Sequence, residues 1–197
     1  MRAESVLVIA ATARELAPDA RWTSLVCGVG PVDAAAATAA ALARHRPAAI
    51  LHVGIAGAWR SSRLAAGTIV IGRESRYCDI SVPAEMAPRL VQPSATLVEA
   101  ARGALPAALV LPIGTSACVG GTVAAASGCD VEAMEGFAVL RAAALAGVPA
   151  LEVRAISNDI EEADRARWQF DAAFAAILRA TPLLVEAVTR TIDAAHA

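Results

Sequence analysis

The sequence predicts an α/β fold: one domain over residues 1–197, with a mixed, twisted central β-sheet flanked by helices. Three observations lead there. Short β-branched apolar runs alternate with alanine-rich helical stretches, the pattern of strands and their connecting helices. Glycine-rich segments follow two of those runs, at Gly28-Val29-Gly30 and at Gly54-Ile55-Ala56-Gly57. At 197 residues, 57% hydrophobic and 18% charged, the chain has the length and apolar content to bury one core.

Residues 5–10 (SVLVIA) form a short buried strand and residues 24–27 a second, which ends at Gly28-Val29-Gly30. Pro31 opens an alanine-rich helix reaching about Arg44; proline suits the first helical turn, where an N–H would lack a partner anyway. Residues 49–53 are the next strand, followed by the small-residue turn at 54–57. Residues 67–71 (GTIVI) are another strand, and 73–78 continue the sheet after a turn. Residues 81–93 hold Pro83, Pro88 and Pro93 and read as a loop. Residues 96–104 are a helix and 108–113 a strand. A helix over 134–146 stops at Gly147, a favoured helix terminator, and 150–156 (ALEVRAI) is a strand. The tail, 168–195, reads as one or two helices with Pro182 as the break.

Composition excludes several classes. The net charge is −2, so there is no basic footprint for nucleic acid. All 17 basic residues besides the histidines are arginine, and Asn158 is the sole asparagine; both features fit a GC-rich coding bias. Cys27, Cys78, Cys118 and Cys129 form no C-x-x-C, and His45, His52 and His196 have no ligand spacing. A metal site is not expected, and the cysteines read as reduced thiols of a cytoplasmic protein. Residues 1–13 look superficially like an export signal, but Glu4 spoils the basic start and a first core strand fits better. The uncharged stretch 103–129 is long enough to span a bilayer, yet Pro106, Pro112, Gly114, Gly120 and Gly121 punctuate it as strand, turn and loop. No membrane partner is expected.

Four segments carry possible chemistry. Gly28-Val29-Gly30-Pro31-Val32-Asp33 places glycines before a helix N-terminus, which suits either an anion site or a tight turn. It lacks the third glycine of the dinucleotide fingerprint, so a nicotinamide enzyme is disfavoured. Gly54–Gly57 would let a ligand approach the backbone, or simply make a turn. In Val131-Glu132-Ala133-Met134-Glu135-Gly136 two carboxylates flank a methionine where strand gives way to helix. A carboxylate there is favoured by the helix dipole and can accept two hydrogen bonds from a vicinal diol. In Val153-Arg154-Ala155-Ile156-Ser157-Asn158 an apolar strand delivers Ser157 and Asn158 to its carboxyl end, the edge where α/β sheets bind ligands.

Together these segments resemble the purine nucleoside phosphorylase and nucleosidase superfamily from end to end, most specifically in Met134-Glu135-Gly136 and Arg154–Asn158 (RAISN). Residues 154–168 (RAISNDIEEADRARW) bring the likeness nearest to the futalosine hydrolases, nucleosidases of an alternative menaquinone pathway that release hypoxanthine. The alternative within the superfamily is an adenine-releasing methylthioadenosine or adenosylhomocysteine nucleosidase, which usually carries aspartate where this chain has Asn158. The resemblance implies that Glu15 activates water and that Ala56 and Gly57 lie beside sugar and base. It implies that Met134 packs on the ribose, Glu135 holds its hydroxyls, and Cys118 and Val119 edge the base. It assigns Ser157 and Asn158 to the departing purine, Asn158 as a catalytic residue. A neutral amide offers an NH2 donor as well as an acceptor, and the donor suits the acceptors N7 and O6 of a 6-oxopurine. Residues 76–79 match a segment near the subunit interface of a homodimer or larger homo-oligomer. The implied partner is a small nucleoside, with no metal and no organic cofactor. Its carboxyphenyl end would need an arginine or hydroxyl, for which Arg165, Arg167 and Trp168 are candidates. The phosphorylases' N-terminal phosphate motif is missing, and His52 and Ile55 stand where those enzymes carry an arginine and a serine. Hydrolysis is therefore expected over phosphorolysis.

Overall fold

Residues 6–83, 85–119 and 128–195 are described by a computed structural model of the chain. The start of the first strand at Ser5, most of the small-residue loop after Val119 and His196 lie outside them. Eight strands form one mixed sheet: β1 (Leu7–Ala10), β2 (Thr23–Val26), β3 (Ile50–Ala58), β4 (Ile69–Tyr77), β5 (Leu90–Val91), β6 (Leu109–Thr115), β7 (Val131–Ala133) and β8 (Ala150–Asp159). The order is β2-β1-β3-β7-β6-β4-β5, and β8 pairs with both β3 and β4. Strands β3, β8, β4, β6 and β7 therefore close a ring, so the twisted sheet curls into a barrel at one end.

This closure depends on long strands that change neighbours. One edge of β3 pairs with β1 over Ile50–His52 and then, past the end of β1, with β7 at Gly57 and Ala58. Its other edge runs parallel to β8 along its whole length. Residues 54–57, expected as a turn, are thus strand interior. Their smallness serves clearance: a Cβ at Gly54 would meet the Arg154 guanidinium and lie 2.8 Å from Glu15 Oε1, and one at Gly57 would lie 2.7 Å from Ile160. Residues 69–77 are likewise one strand, with a register shift between Gly72 and Glu74 in place of the expected turn.

Helices α1 (Pro31–Arg44) and α3 (Gly136–Ala146) cover one face of the sheet, and α2 (Ala95–Ala104) and α4 (Phe170–Ala195) the other. Helix α3 begins two residues later than expected, because Met134 and Glu135 stay outside it and Glu135 is its N-cap. Gly147, at φ 69°, ends it as the sequence predicts. Helix α4 passes through Pro182 unbroken. An interior proline costs about 3 kcal/mol, but the buried face of α4 carries Ile177, Leu184, Val185 and Val188 on both sides of it. Each such side chain gains about 1.5–3 kcal/mol on burial, which outweighs the kink. Helix α4 is the one described helix long and apolar enough to cross a membrane, but 56% of that stretch is buried inside the fold.

Two concavities matter. A groove of about 880 Å³ lies between α1 and α3 and is walled by alanine, Leu42, Tyr77, Phe137 and Leu145, with Arg141 its only charged residue. A smaller cavity of about 300 Å³ lies at the carboxyl ends of β1, β3 and β8 and holds several ionisable groups. The first has the surface of a contact, the second that of a reaction site.

Candidate active site

Three parallel strands deliver the polar wall of the smaller cavity. After β1 the chain turns through a short 3-10 segment, Ala13–Glu15, and sends Glu15 back under the cavity floor. It is 3% exposed, and its carboxylate accepts three hydrogen bonds. Oε2 accepts from Thr12 N at 2.8 Å and Thr12 Oγ1 at 2.9 Å, and Oε1 accepts from Ile55 N at 3.1 Å. Glu135 enters from the other side as the N-cap of α3 and is 4% exposed. Its Oε1 accepts from the backbone N–H of Gly30 at 3.1 Å, and its Oε2 lies 3.4 Å from Arg154.

The Gly30 contact resolves the glycine motif. Gly28 and Gly30 have φ of 84° and 92°, a left-handed conformation that favours glycine. The turn aims the N-terminus of α1 at Glu135. The anion at this helix start is thus the protein's own carboxylate.

Beneath both glutamates lies a buried charge network. Arg154 is 1% exposed; its Nε donates to Glu152 at 2.9 Å, and its Nη2 reaches both Glu135 and His52. Burial alone would lower the Arg154 pKa, but the charges of Glu152, Glu135 and Glu15 more than offset it and raise it. Burial pushes the Glu152 carboxyl up, opposed by Arg154. His52 is held well below its usual range by burial and by the Arg154 charge, so it is neutral. Its Nδ1 donates to the Ile9 carbonyl at 3.0 Å and its Nε2 accepts from Arg154. His52 is therefore a buttress under the sheet and does not line the cavity.

A register shift sets the wall that β8 contributes. Ala56 pairs with Ile156, but Gly57 pairs with Asn158, leaving Ser157 as the extra residue of a bulge. Bulges re-aim side chains next to active sites, and this one lets consecutive Ser157 and Asn158 both line the cavity. Asn158 Nδ2 donates to the Asp159 carbonyl at 3.0 Å, and Ser157 Oγ donates to Asn158 Oδ1 at 2.7 Å. A carbonyl can only accept, so the amide nitrogen must face Asp159, and the amide orientation follows.

All nine residues singled out in the sequence line this one cavity: Glu15, Ala56, Gly57, Cys118, Val119, Met134, Glu135, Ser157 and Asn158. Sequence reasoning missed others. Arg14 lies 4.4 Å over the Phe174 ring and pairs with Asp171 at 3.6 Å. Trp168, a candidate named from the sequence, does line the cavity, and Phe170 and Phe174, which were missed, extend it into an aromatic wall with successive ring centroids 5.5 and 6.2 Å apart. The i, i+4 spacing of Phe170 and Phe174 was the available signal. Arg165 lies against Trp168, and Arg167 pairs with Glu162; neither lines the cavity. Glu132 was also missed as a lining residue; burial pushes its carboxyl up to about 7.

Comparison with known proteins finds relatives along most of the chain. Residues 17–190 match the family model of the phosphorylase superfamily. A futalosine hydrolase of Streptomyces coelicolor is 37% identical over 183 residues, covering 79% of this chain and 75% of the relative. One from Thermus thermophilus is 31% identical over 181 residues, covering 82% and 80%. A methylthioadenosine/S-adenosylhomocysteine nucleosidase of Colwellia psychrerythraea, solved with adenine, superposes with a TM-score of 0.79 at 20% identity, covering 94% of this chain and 96% of that one.

Proposed function

The chain belongs to the phosphorylase superfamily and, within it, to the futalosine hydrolase family, and from that premise we propose how its site hydrolyses the N-glycosidic bond of futalosine to release hypoxanthine. The observation that carries this reading is the pair of buried, separately held carboxylates in one nucleoside-sized cavity. N-glycosidic cleavage builds positive charge on the ribosyl ring and negative charge on the base. Glu135 holds the ribose hydroxyls and favours the cation. Glu15 orients a water and accepts its proton as the bond to ribose forms. Asn158 receives the leaving purine: with Oδ1 turned to Ser157, the remaining Nδ2 hydrogen points to the acceptors N7 and O6 of hypoxanthine. Occupation of the α1 N-terminus by Glu135 removes an obvious phosphate cradle, which supports water as the nucleophile. The exposed Arg14 and the aromatic wall beside it suit the carboxyphenyl end of the substrate. The enzyme works in the cytoplasm of the menaquinone-making cell.

The decisive assay is base release without phosphate from futalosine, methylthioadenosine and inosine side by side. Hypoxanthine from futalosine alone is the expected result; adenine from methylthioadenosine in its place would overturn the specificity. Asn158→Asp is expected to shift preference toward adenine nucleosides, since a protonated aspartate donates to N7 while an ionised one accepts from the 6-amino group. An unaltered ratio of kcat/KM for the two base classes would refute that role.

The groove between α1 and α3 supports a homodimer. Val32 and Leu145 on its rim are 77% and 71% exposed, and exposed apolar side chains clustered around one groove suit an association surface. Tyr77, from the segment matched to a subunit interface, stacks on Phe137 in its floor at 5.2 Å. Leu145→Arg is expected to yield a monomer by light scattering; a dimer of unchanged mass would place the contact elsewhere.

A further inference from the structure

Strand register puts Gly57 between two polar neighbours: Asn158 of β8 on one flank and Glu132 of β7 on the other. The row spans two strand spacings, about 9.6 Å between the outer Cα atoms, with the glycine as a flat step between them. Glu132 lines the cavity, is 7% exposed, and its Oε1 has no hydrogen-bond partner. Its Cγ lies beside Gly114, its register partner on β6, a glycine that Cys78 and Cys129 also crowd. A buried carboxyl oxygen left without a donor is costly in the empty protein. The function described so far gives it no task.

Resting on the nucleosidase reading, we propose that Glu132 is a specificity-determining residue that accepts a hydrogen bond from N1–H of a 6-oxopurine, on the far side of O6 from N7. Hypoxanthine presents N7 and O6 as acceptors and N1–H as a donor along one continuous edge. Asn158 supplies the donor and Glu132 the acceptor. Adenine reverses the pattern at position 1, where its nitrogen accepts, so an ionised Glu132 repels it and only a protonated one can bond it. Selection between the two bases is then shared by two side chains, and a neutral Asn158 contributes no pH dependence of its own.

The ionisation of Glu132 lies in a useful range. Burial raises it to about 7; the Trp59 indole, outside hydrogen-bond geometry, opposes the rise and the Asp79 charge adds to it. The other titratable groups packed about it are Cys78 and Cys129, with Glu15 and Glu135 across the cavity. The ratio of hypoxanthine to adenine affinity cancels what the two bases share and reads the contact of Glu132 with position 1. The ionised form favours hypoxanthine, so the ratio rises with pH, approaching about tenfold per pH unit for a single linked proton.

The test is calorimetric binding of hypoxanthine and of adenine to the intact protein between pH 5.5 and 8, with wild type and Glu132→Gln. The expected result is a rising ratio in the wild type and a flat one in the variant, whose amide can serve either base. A pH-independent ratio in the wild type overturns the proposal without recourse to any variant. So does a slope that survives Glu132→Gln. Failure of both bases to bind the wild type would overturn the nucleosidase reading itself, and this proposal with it.

Discussion

Replacing Glu15 with Gln is expected to lower kcat for hypoxanthine release by about 10²–10⁴-fold, the usual contribution of general base catalysis, while KM changes little. The reasoning starts from the three hydrogen bonds that fix the carboxylate. Every one is donated by the protein, so Glu15 acts purely as an acceptor, and the second lone pair of Oε1 is left for a water. Glutamine matches its volume but has one acceptor oxygen. Whichever way the amide turns, its NH2 group meets an N–H of Thr12 or of Ile55. The water loses its base, whereas the ribose and purine keep their contacts. A lowered kcat with an unchanged melting temperature separates this from simple unfolding. Unaltered turnover would remove Glu15 from the mechanism.

The second large effect is on stability. Arg154→Met should destabilise the fold by about 3–5 kcal/mol near pH 8, the typical cost of stranding buried charges. For a chain of this length that is roughly 6–20 °C in melting temperature. Arg154 is the cation that Glu152 and Glu135 share, and all three side chains are almost wholly buried. Without it, Glu152 must carry an uncompensated charge or take up a proton. Burial already raises the Glu152 pKa, so the folded variant holds that proton at a higher pH than the unfolded chain does. Its deficit is therefore largest in alkali and shrinks as pH falls toward the carboxylate range. Urea midpoints at pH 8 and pH 5 check both the size and the direction. Equal midpoints for variant and wild type would mean that the network is neutral in energy.

Much of this was legible in the chain. Helix α1 could be read from its proline start, and β8 from an apolar run ending in Ser157-Asn158. The cavity residues came from motif likeness, because single positions such as Glu15 carry no local signature of their role. What escaped was set by contacts between distant segments. Nothing near Gly54 announces that a guanidinium 100 residues away will need its space, so a strand interior read as a turn. Pro182 promised a break that the packing of Leu184 and Val188 overrides. Glu132 was visible as one of two carboxylates around Met134, but only pairing across Gly57 shows which way it faces. Arg14 needed the placement of Phe174 on α4 before its position had meaning.

Gly136, the glycine that follows Glu135, illustrates a different kind of dependence. A Cβ there would collide with both carboxylate oxygens of Glu152, which fill the space beside it. The two positions are thus epistatic. Alanine at 136 displaces the Glu152 carboxylate from its place beside Arg154, and fits without that displacement once the side chain at 152 is shortened. Shortening it loosens Arg154, and with it Glu135. An evolutionary path that varies the glycine therefore runs most easily through position 152 first, and the most specific motif of this sequence is guarded by a residue that lies outside it.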